Sequence, residues 1–385
     1  MLAPMKTLPP RLMFSQTVCL AASVLLVWNA VLAQAPVAAT DGTWVFANPM
    51  NEKRSSFTAT RLLDGRVLVV GGFVVGGSAE PGAELYDPVS DTWSKATAGF
   101  DGPRHAHEAV LLNDGRVLIA GGLFGVGLLT SQTYDPAIGA WSRTTLMNHQ
   151  HIDGRMTLLA DGRALMSGDI ATQKPKSVEI YDPETDTWSN TGSLNFGRSA
   201  HTVTLLADGR VLVTGGEAGF NFVMRNDAEL YDPVTGTWRV TASMHHRRAF
   251  HAATLLEDGR VLVTGGLSRS TSGELTVNSA EIYDPTTEKW RMAPRFTVAR
   301  SFHQATRLLD GRVAITGGFD DGLRIGQVEI YDPILRTWTS GGELNTARDG
   351  HTTTLLSDGR LLVAGGFGDG RTVNTAELGD LSDSP

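Results

Sequence analysis

The chain of 385 residues has one cysteine, Cys19, no run of basic residues, and no Asp or Glu before Asp41. Each scarcity excludes something. A net charge of −8 without a basic block offers no footing for a phosphate backbone, so nucleic acid is not expected as a partner. The acid-free opening carries Lys6 and Arg11 ahead of an apolar run, Val18 to Leu32, with small residues at Ala33 and Ala35. This is the layout of a secretory signal peptide over residues 1–33, followed by a short linker over 34–40. The stretch Leu12 to Ala33 is nearly long enough to stay as a membrane anchor, but Gln16, Asn29 and the Ala-x-Ala site favour cleavage. Once cleaved, the chain has lost Lys6 and Arg11, stands at −10 and has no cysteine. Disulfides, a thiol nucleophile and thiolate metal sites are then excluded, and stability must come from packing. The expected location is outside the cytoplasm: periplasmic, secreted or at the cell envelope, with no membrane contact after cleavage.

What is abundant is glycine, 43 residues of it, and it is periodic. Asp-Gly-Arg recurs at 64–66, 114–116, 161–163, 208–210, 258–260, 310–312 and 358–360, with spacings of 50, 47, 47, 50, 52 and 48. Seven units of near-constant length mean a repeat architecture. Each unit runs in one order: an apolar alternating stretch, Asp-Gly-Arg, a run such as Val211 to Thr214, Gly-Gly, a variable loop, then a segment like Leu85-Tyr86 and a Thr-Trp pair such as Thr92-Trp93. These β-branched and aromatic runs between turn residues read as strands. Asp-Gly predicts a tight two-residue hairpin, and Asp232-Pro233-Val234-Thr235-Gly236 a second turn. Each unit is therefore a four-stranded antiparallel meander. Seven such sheets bury their faces only when set radially, which predicts an all-β, seven-bladed β-propeller over residues 41–381 with a tail over 382–385.

The ends predict how the ring closes. Trp44, in Asp41-Gly42-Thr43-Trp44, precedes any Asp-Gly-Arg, whereas the last unit ends at Ala376-Glu377-Leu378 without a Trp. The N-terminal strand should complete the last blade.

The double glycine, the Tyr after it and the Trp seven residues beyond that Tyr (Tyr86 and Trp93, Tyr231 and Trp238, Tyr331 and Trp338) resemble the kelch repeat, the repeat of the galactose oxidase propeller. The resemblance spans residues 41–380 and implies an exported kelch protein of bacterial type. It says little about activity. Galactose oxidase chemistry needs a cysteine crosslinked to a tyrosine, which the cleaved chain lacks. Sialic acid mutarotase, a periplasmic kelch protein, needs neither cysteine nor metal.

Two sets of residues are candidate sites. Arg104 and His107, Arg198 and His201, Arg248 and His251, Arg300 and His303, and Arg348 and His351 form an Arg-x-x-His pattern at the start of each inner strand. The arginines could make a cationic rim that binds a carboxylate or sulfate. Equally, Glu84, Glu179, Glu229, Glu281, Glu329 and Glu377 begin the third strand at the same end, and Arg with Glu would satisfy buried charge within the repeat. Blade three breaks the pattern with His149-Gln150-His151-Ile152-Asp153-Gly154, and its Gly-Gly becomes Gly168-Asp169. On an extended strand His149, His151 and Asp153 share one face, and Asp169 could join them around a divalent metal. No other cofactor is expected.

Long variable loops on a rigid scaffold are where recognition usually sits. The expected function is a monomeric module that binds a protein or a glycan through the face carrying the post-Gly-Gly loops. The alternative is a carbohydrate-active enzyme, either an isomerase like the mutarotase or a metal-dependent activity at blade three.

Overall fold

A computed structural model describes residues 42–75, 82–169, 176–218, 223–270 and 273–382. The expected signal peptide and linker, with Cys19, and residues 383–385 of the tail lie outside the described residues.

Seven four-stranded antiparallel sheets make up the chain. In blade four, Thr202–Leu205 is innermost, followed by Val211–Thr214, Ala228–Asp232 and the outer Thr237–Thr241. Val211 lies opposite Tyr231, and Tyr231 opposite Trp238. The second strand of every blade is buried along its whole length. That is why it reads as a continuous apolar run rather than an alternating one. Each inner strand packs against the inner strand on either side, around a closed ring. The last blade, Thr352–Leu355, Leu361–Ala364 and Ala376–Asp380, takes Thr43–Ala47 as its fourth strand, with Thr43 opposite Asp380 and Ala47 opposite Ala376. Gly379 stands where other blades have tyrosine, and Trp44 lies over it in the space a side chain would fill.

The core sits between blades rather than within them. Val211, Val213 and Tyr231 of blade four pack on Leu165, Val178 and Ile180 of blade three. Fully burying each such aliphatic side chain is worth roughly 1.5–3 kcal/mol. The outer strand adds a clip: Trp141 Nε1 donates to Ala96 O at 2.7 Å and Trp338 Nε1 to Pro294 O at 2.9 Å, each in the preceding blade.

The Asp-Gly turn differs from expectation. Leu62 N donates to Arg66 O at 2.8 Å and Gly65 N to Leu62 O at 3.1 Å, so the loop has three residues and only Gly65 is left-handed, at φ 90°. Asp64 keeps an ordinary backbone because its carboxylate holds Arg66, accepting from the backbone N at 3.0 Å and from Nε at 2.8 Å. The arginine of this turn then reaches the next blade or the chain end: Arg116 bonds Pro183 O, Arg210 bonds Pro285 O, and Arg312 bonds Leu381 O at 2.9 Å. This face is tied down. On the opposite face the variable segments fold as small hairpins, such as Leu123–Phe124 with Val126–Gly127 and Leu267–Ser270 with Gly273–Thr276.

The first glycine of each Gly-Gly pair accommodates the following blade. A Cβ on Gly317, at φ 59°, would lie 2.4 Å from His351 Cε1 and 2.5 Å from Arg348 O. Both contacts and the left-handed backbone oppose a side chain. Gly317→Ala is expected to destabilise the domain by about 2 kcal/mol, measured by urea unfolding.

Candidate functional site

The links between blades lie on the hairpin face, where Ser55 bridges Phe73, Ala249 bridges Leu267 and Ser301 bridges Phe319. Each link holds four consecutive positions, as in Arg248-Ala249-Phe250-His251, and each position has its own task.

The first position is buried. Arg248 donates to Gly265 O at 2.7 Å, Ser279 O at 3.1 Å and Glu281 Oε1 at 2.8 Å. Arg198 pairs with Glu229 at 2.7 Å, Arg300 with Glu329 at 2.9 Å, Arg348 with Glu377 at 2.6 Å and Arg54 with Glu84 at 2.5 Å. The guanidiniums named as a ligand rim are thus engaged inside their own blades. Burial lowers Arg248, Arg300 and Arg348 from the usual arginine value, with the paired glutamate opposing. Arg104 is the exception. Gln132 occupies the place of the glutamate, Arg104 bonds Thr130 O and Oγ1 instead, and burial pulls it down to about 10 with only Asp101 opposing.

The third position makes a collar. Ser56, Ala106, Asp153, Ala200, Phe250, Phe302 and Gly350 all have φ between 49° and 60°. This left-handed backbone points each N–H and C=O along the ring. Ser56 N donates to Gly350 O at 3.0 Å, Ala200 N to Asp153 O at 3.2 Å, Phe250 N to Ala200 O at 3.0 Å and Phe302 N to Phe250 O at 3.1 Å. The collar's amides mostly satisfy one another.

The fourth position is an inter-blade wedge. His107, His201, His251, His303 and His351 pack against the first glycine of the preceding blade. Their Nε2 atoms meet hydroxyls there, His303 on Thr264 Oγ1 at 2.8 Å and His201 on Ser167 Oγ at 3.0 Å. Burial and the nearby arginine hold all five well below the usual histidine value, His351 at about 3. Blade one has Phe57 in this place, packed on Gly365.

Blade three does not build the expected metal cluster. Residues 149–153 precede the strand Arg155–Leu158, and the left-handed turn at Asp153 breaks the alternation that would put His149, His151 and Asp153 on one face. His151 sits in the arginine's place and serves the same two acceptors, with Nδ1 2.8 Å from Gly168 O and Nε2 3.3 Å from Glu179 Oε1. Burial raises Glu179, but hydrogen bonds from His151 and Asn148 outweigh it and keep the carboxyl below its usual range. His149 gives only its backbone N–H to Glu179, at 2.7 Å. Asp153 stands in the collar. Asp169 Oδ1 accepts from Ile152 N at 3.1 Å. Among the described residues no group of three His, Cys, Asp or Glu could hold a metal ion.

Asp169 fits because Gly154 sits opposite it. Elsewhere the second glycine faces the wedge: a Cβ on Gly216 would meet His201 Cβ at 2.9 Å, and one on Gly366 His351 Cβ at 2.9 Å. In blade three the wedge position is Gly154, without a Cβ. The two departures from the repeat compensate each other.

Sequence reasoning missed the first residues of the inner strands. Thr58, Thr202, Ala252, Gln304 and Thr352 are uncharged, but blades two and three place Glu108 and Arg155 there, joined at 2.9 Å. Burial raises Glu108, with Arg155 opposing. Aligning the seven units on Asp-Gly-Arg would have exposed this charged pair.

A family model described as the KLHDC2/KLHL20/DRC7 kelch-repeats domain matches residues 154–366, more than half the chain, and a kelch motif model matches residues 54–98. The chain belongs to the kelch-repeat family. Among solved structures, this kelch propeller is similar to a fungal alcohol oxidase described as having catalytic diversity among the AA5 family, in complex with copper. The two are 16% identical with a TM-score of 0.74, over 88% of this chain and 76% of that one. At that identity the likeness is one of fold. No curated protein matches the chain. Among the described residues no three His, Cys, Asp or Glu side chains gather as ligands for such a copper. Tyr86, Tyr134, Tyr181, Tyr231, Tyr283 and Tyr331 stack on tryptophans with ring centroids 4.8–5.2 Å apart, and the wedge histidines are parted by blade walls.

Proposed function

We propose that this kelch propeller is an exported binding module that engages a protein or glycan through its hairpin face. The observation that carries this reading is the contrast between the two faces. The Asp-Gly-Arg face repeats one loop length and is tied between blades by arginine, whereas the opposite face varies in every blade and carries hairpins standing beyond the sheets. Several hairpin side chains are aliphatic or aromatic and exposed: Phe124, Val126, Val223, Leu275 and Leu323. Exposed apolar groups on a rigid frame suit a polypeptide partner best, because they gain from burial and lose little freedom.

The test uses the described domain against panels of secreted proteins and of glycans. A ligand found by the panel is expected to bind at least tenfold more weakly to a Val126→Asp, Leu323→Asp double variant. Val234→Asp, on the tied face, is expected to bind as the parent does. Binding lost with Val234→Asp and kept in the hairpin variant would overturn the proposal.

A further inference from the structure

The Asp-Gly-Arg face carries a feature that its ties between blades do not need. In six blades the third strand ends at the Asp of an Asp-Pro pair and four residues lead to the fourth strand, as from Asp232 to Thr237 and from Asp332 to Thr337. Turns of one length on a closed ring end at one level, whereas the hairpins of the opposite face differ in length from blade to blade. The tips of this level face are aliphatic: Val89, Ile138, Val234, Ile334 and Leu335 are between 71% and 94% exposed. Leu63 and Leu309, in the Asp-Gly-Arg loops of blades one and six, are exposed on the same face. The Asp carboxylates turn back and accept from the tip amides, Asp232 Oδ1 from Val234 N at 2.8 Å and Asp332 Oδ1 from Ile334 N at 2.7 Å. A tip closed in this way can leave water without orphaning that N–H.

The chain also enters the ring at this face. Thr43 lies opposite Asp380, the end of the third strand of blade seven. Gly42 O fills the space that a side chain on Gly342 of blade six would need. Residues 34–41 can reach at most about 28 Å from there, and ahead of them stands Leu12 to Ala33, the apolar stretch of nearly membrane-spanning length. Blade six, beside that entry, has the most aliphatic tips, Leu309, Ile334 and Leu335, with Arg336 exposed next to them. An arginine so placed can lay its stem over apolar surface and keep its charge at a phosphate.

We propose that the Asp-Gly-Arg face rests on a lipid surface, with the aliphatic turn tips entering the headgroup boundary of a zwitterionic bilayer. The tips are set apart around the ring, and Glu184 and Thr286 take the place of Val234 in blades three and five. A protein partner needs a continuous apolar core at its interface, but a bilayer receives each tip separately, to a depth of about 5–10 Å. The bilayer is zwitterionic because the chain is acidic, at −8 overall, and anionic headgroups repel it. The proposal goes beyond the binding-module reading and departs from the expectation that the cleaved chain has no membrane contact. It also orients the molecule: with this face on lipid, the hairpins point away from it.

The chain from Gln34 to Pro385 holds the whole closed ring, and its flotation with phosphatidylcholine vesicles is the test. The parent is expected to float with the vesicles, and replacing part of the lipid with phosphatidylglycerol is expected to weaken binding severalfold. An Ile334→Thr, Leu335→Ser double variant is expected to partition at least about tenfold less. It should fold, because Thr286 and Ser90 occupy those two places in blades five and one. The Val126→Asp, Leu323→Asp hairpin variant is expected to float as the parent does. A parent that does not float, equal flotation of the parent and the turn variant, or loss confined to the hairpin variant overturns the proposal. So does a dimer of the parent, seen by sedimentation without vesicles, that the turn variant abolishes, since the tips would then pack on a second copy of this chain.

Discussion

Lowering the pH from 7 to 5 is expected to destabilise the domain, by about 2 kcal/mol through His351 alone, which burial holds at about 3, and in the same direction through four further histidines. His107, His201, His251, His303 and His351 are held neutral between blades by burial. Their folded values lie below the unfolded one. Their contribution is therefore complete above pH 6.5, and it is lost as the pH falls, because the unfolded chain takes up protons that the folded chain refuses. Opposing this are carboxyls that burial raises: Asp349, lifted to about 6 with Arg324 opposing, and Glu108 and Asp153. These favour the folded state as the pH falls, by about 1 kcal/mol for Asp349, too little to reverse the sum. Urea unfolding at pH 7, 6 and 5 measures the slope. His303→Phe tests its origin, since Phe57 shows that a phenyl ring fits the wedge. The variant should lose less stability between pH 7 and 5 than the parent. An unchanged slope in the variant, or equal stability at both ends, would remove the histidines as the cause.

The fold was legible because its signal was redundant. Seven registered copies of Asp-Gly-Arg, the Tyr–Trp spacing and the unpaired strand at Trp44 pointed to one closed ring, and the pairing of Thr43–Ala47 with Ala376–Asp380 bears this out. The glutamates opposite the arginines were legible for the same reason. What the pattern could not show was direction. A residue with positive φ reverses the alternation of side chains, and nothing in His149-Gln150-His151-Ile152-Asp153 announces that the collar position, Asp153, is left-handed. Comparison with Gly350, which fills that place in blade seven, was the available hint. Glu108 and Arg155 escaped because they depart from the repeat in single residues, without altering its length.

The other large effect turns on one glutamate and its missing counterpart. Glu229 accepts from Arg198 at 2.7 Å, from Asn195 N at 2.7 Å and Nδ2 at 2.8 Å, and from Phe196 N at 3.1 Å. Glu229→Gln is expected to destabilise by about 3 kcal/mol, because it leaves a buried guanidinium without its carboxylate and sets an amide N–H₂ against a donor. Blade two already lives with that defect. Gln132 accepts from Asp101 N at 3.1 Å and donates Nε2 to Gly99 O at 3.2 Å, and the Arg104 guanidinium bonds Thr130 and Gly121 O but no carboxylate of its blade's third strand. Gln132→Glu is therefore expected to act in the opposite direction, stabilising by about 1–2 kcal/mol and raising the melting temperature by several degrees. Differential scanning calorimetry of both variants at pH 7.5 gives the two signs in one comparison. Destabilisation by Gln132→Glu would mean that the added carboxylate loses more in desolvation than Arg104 returns, and the charge pairing would then be a tolerated feature of the repeat rather than a source of its stability.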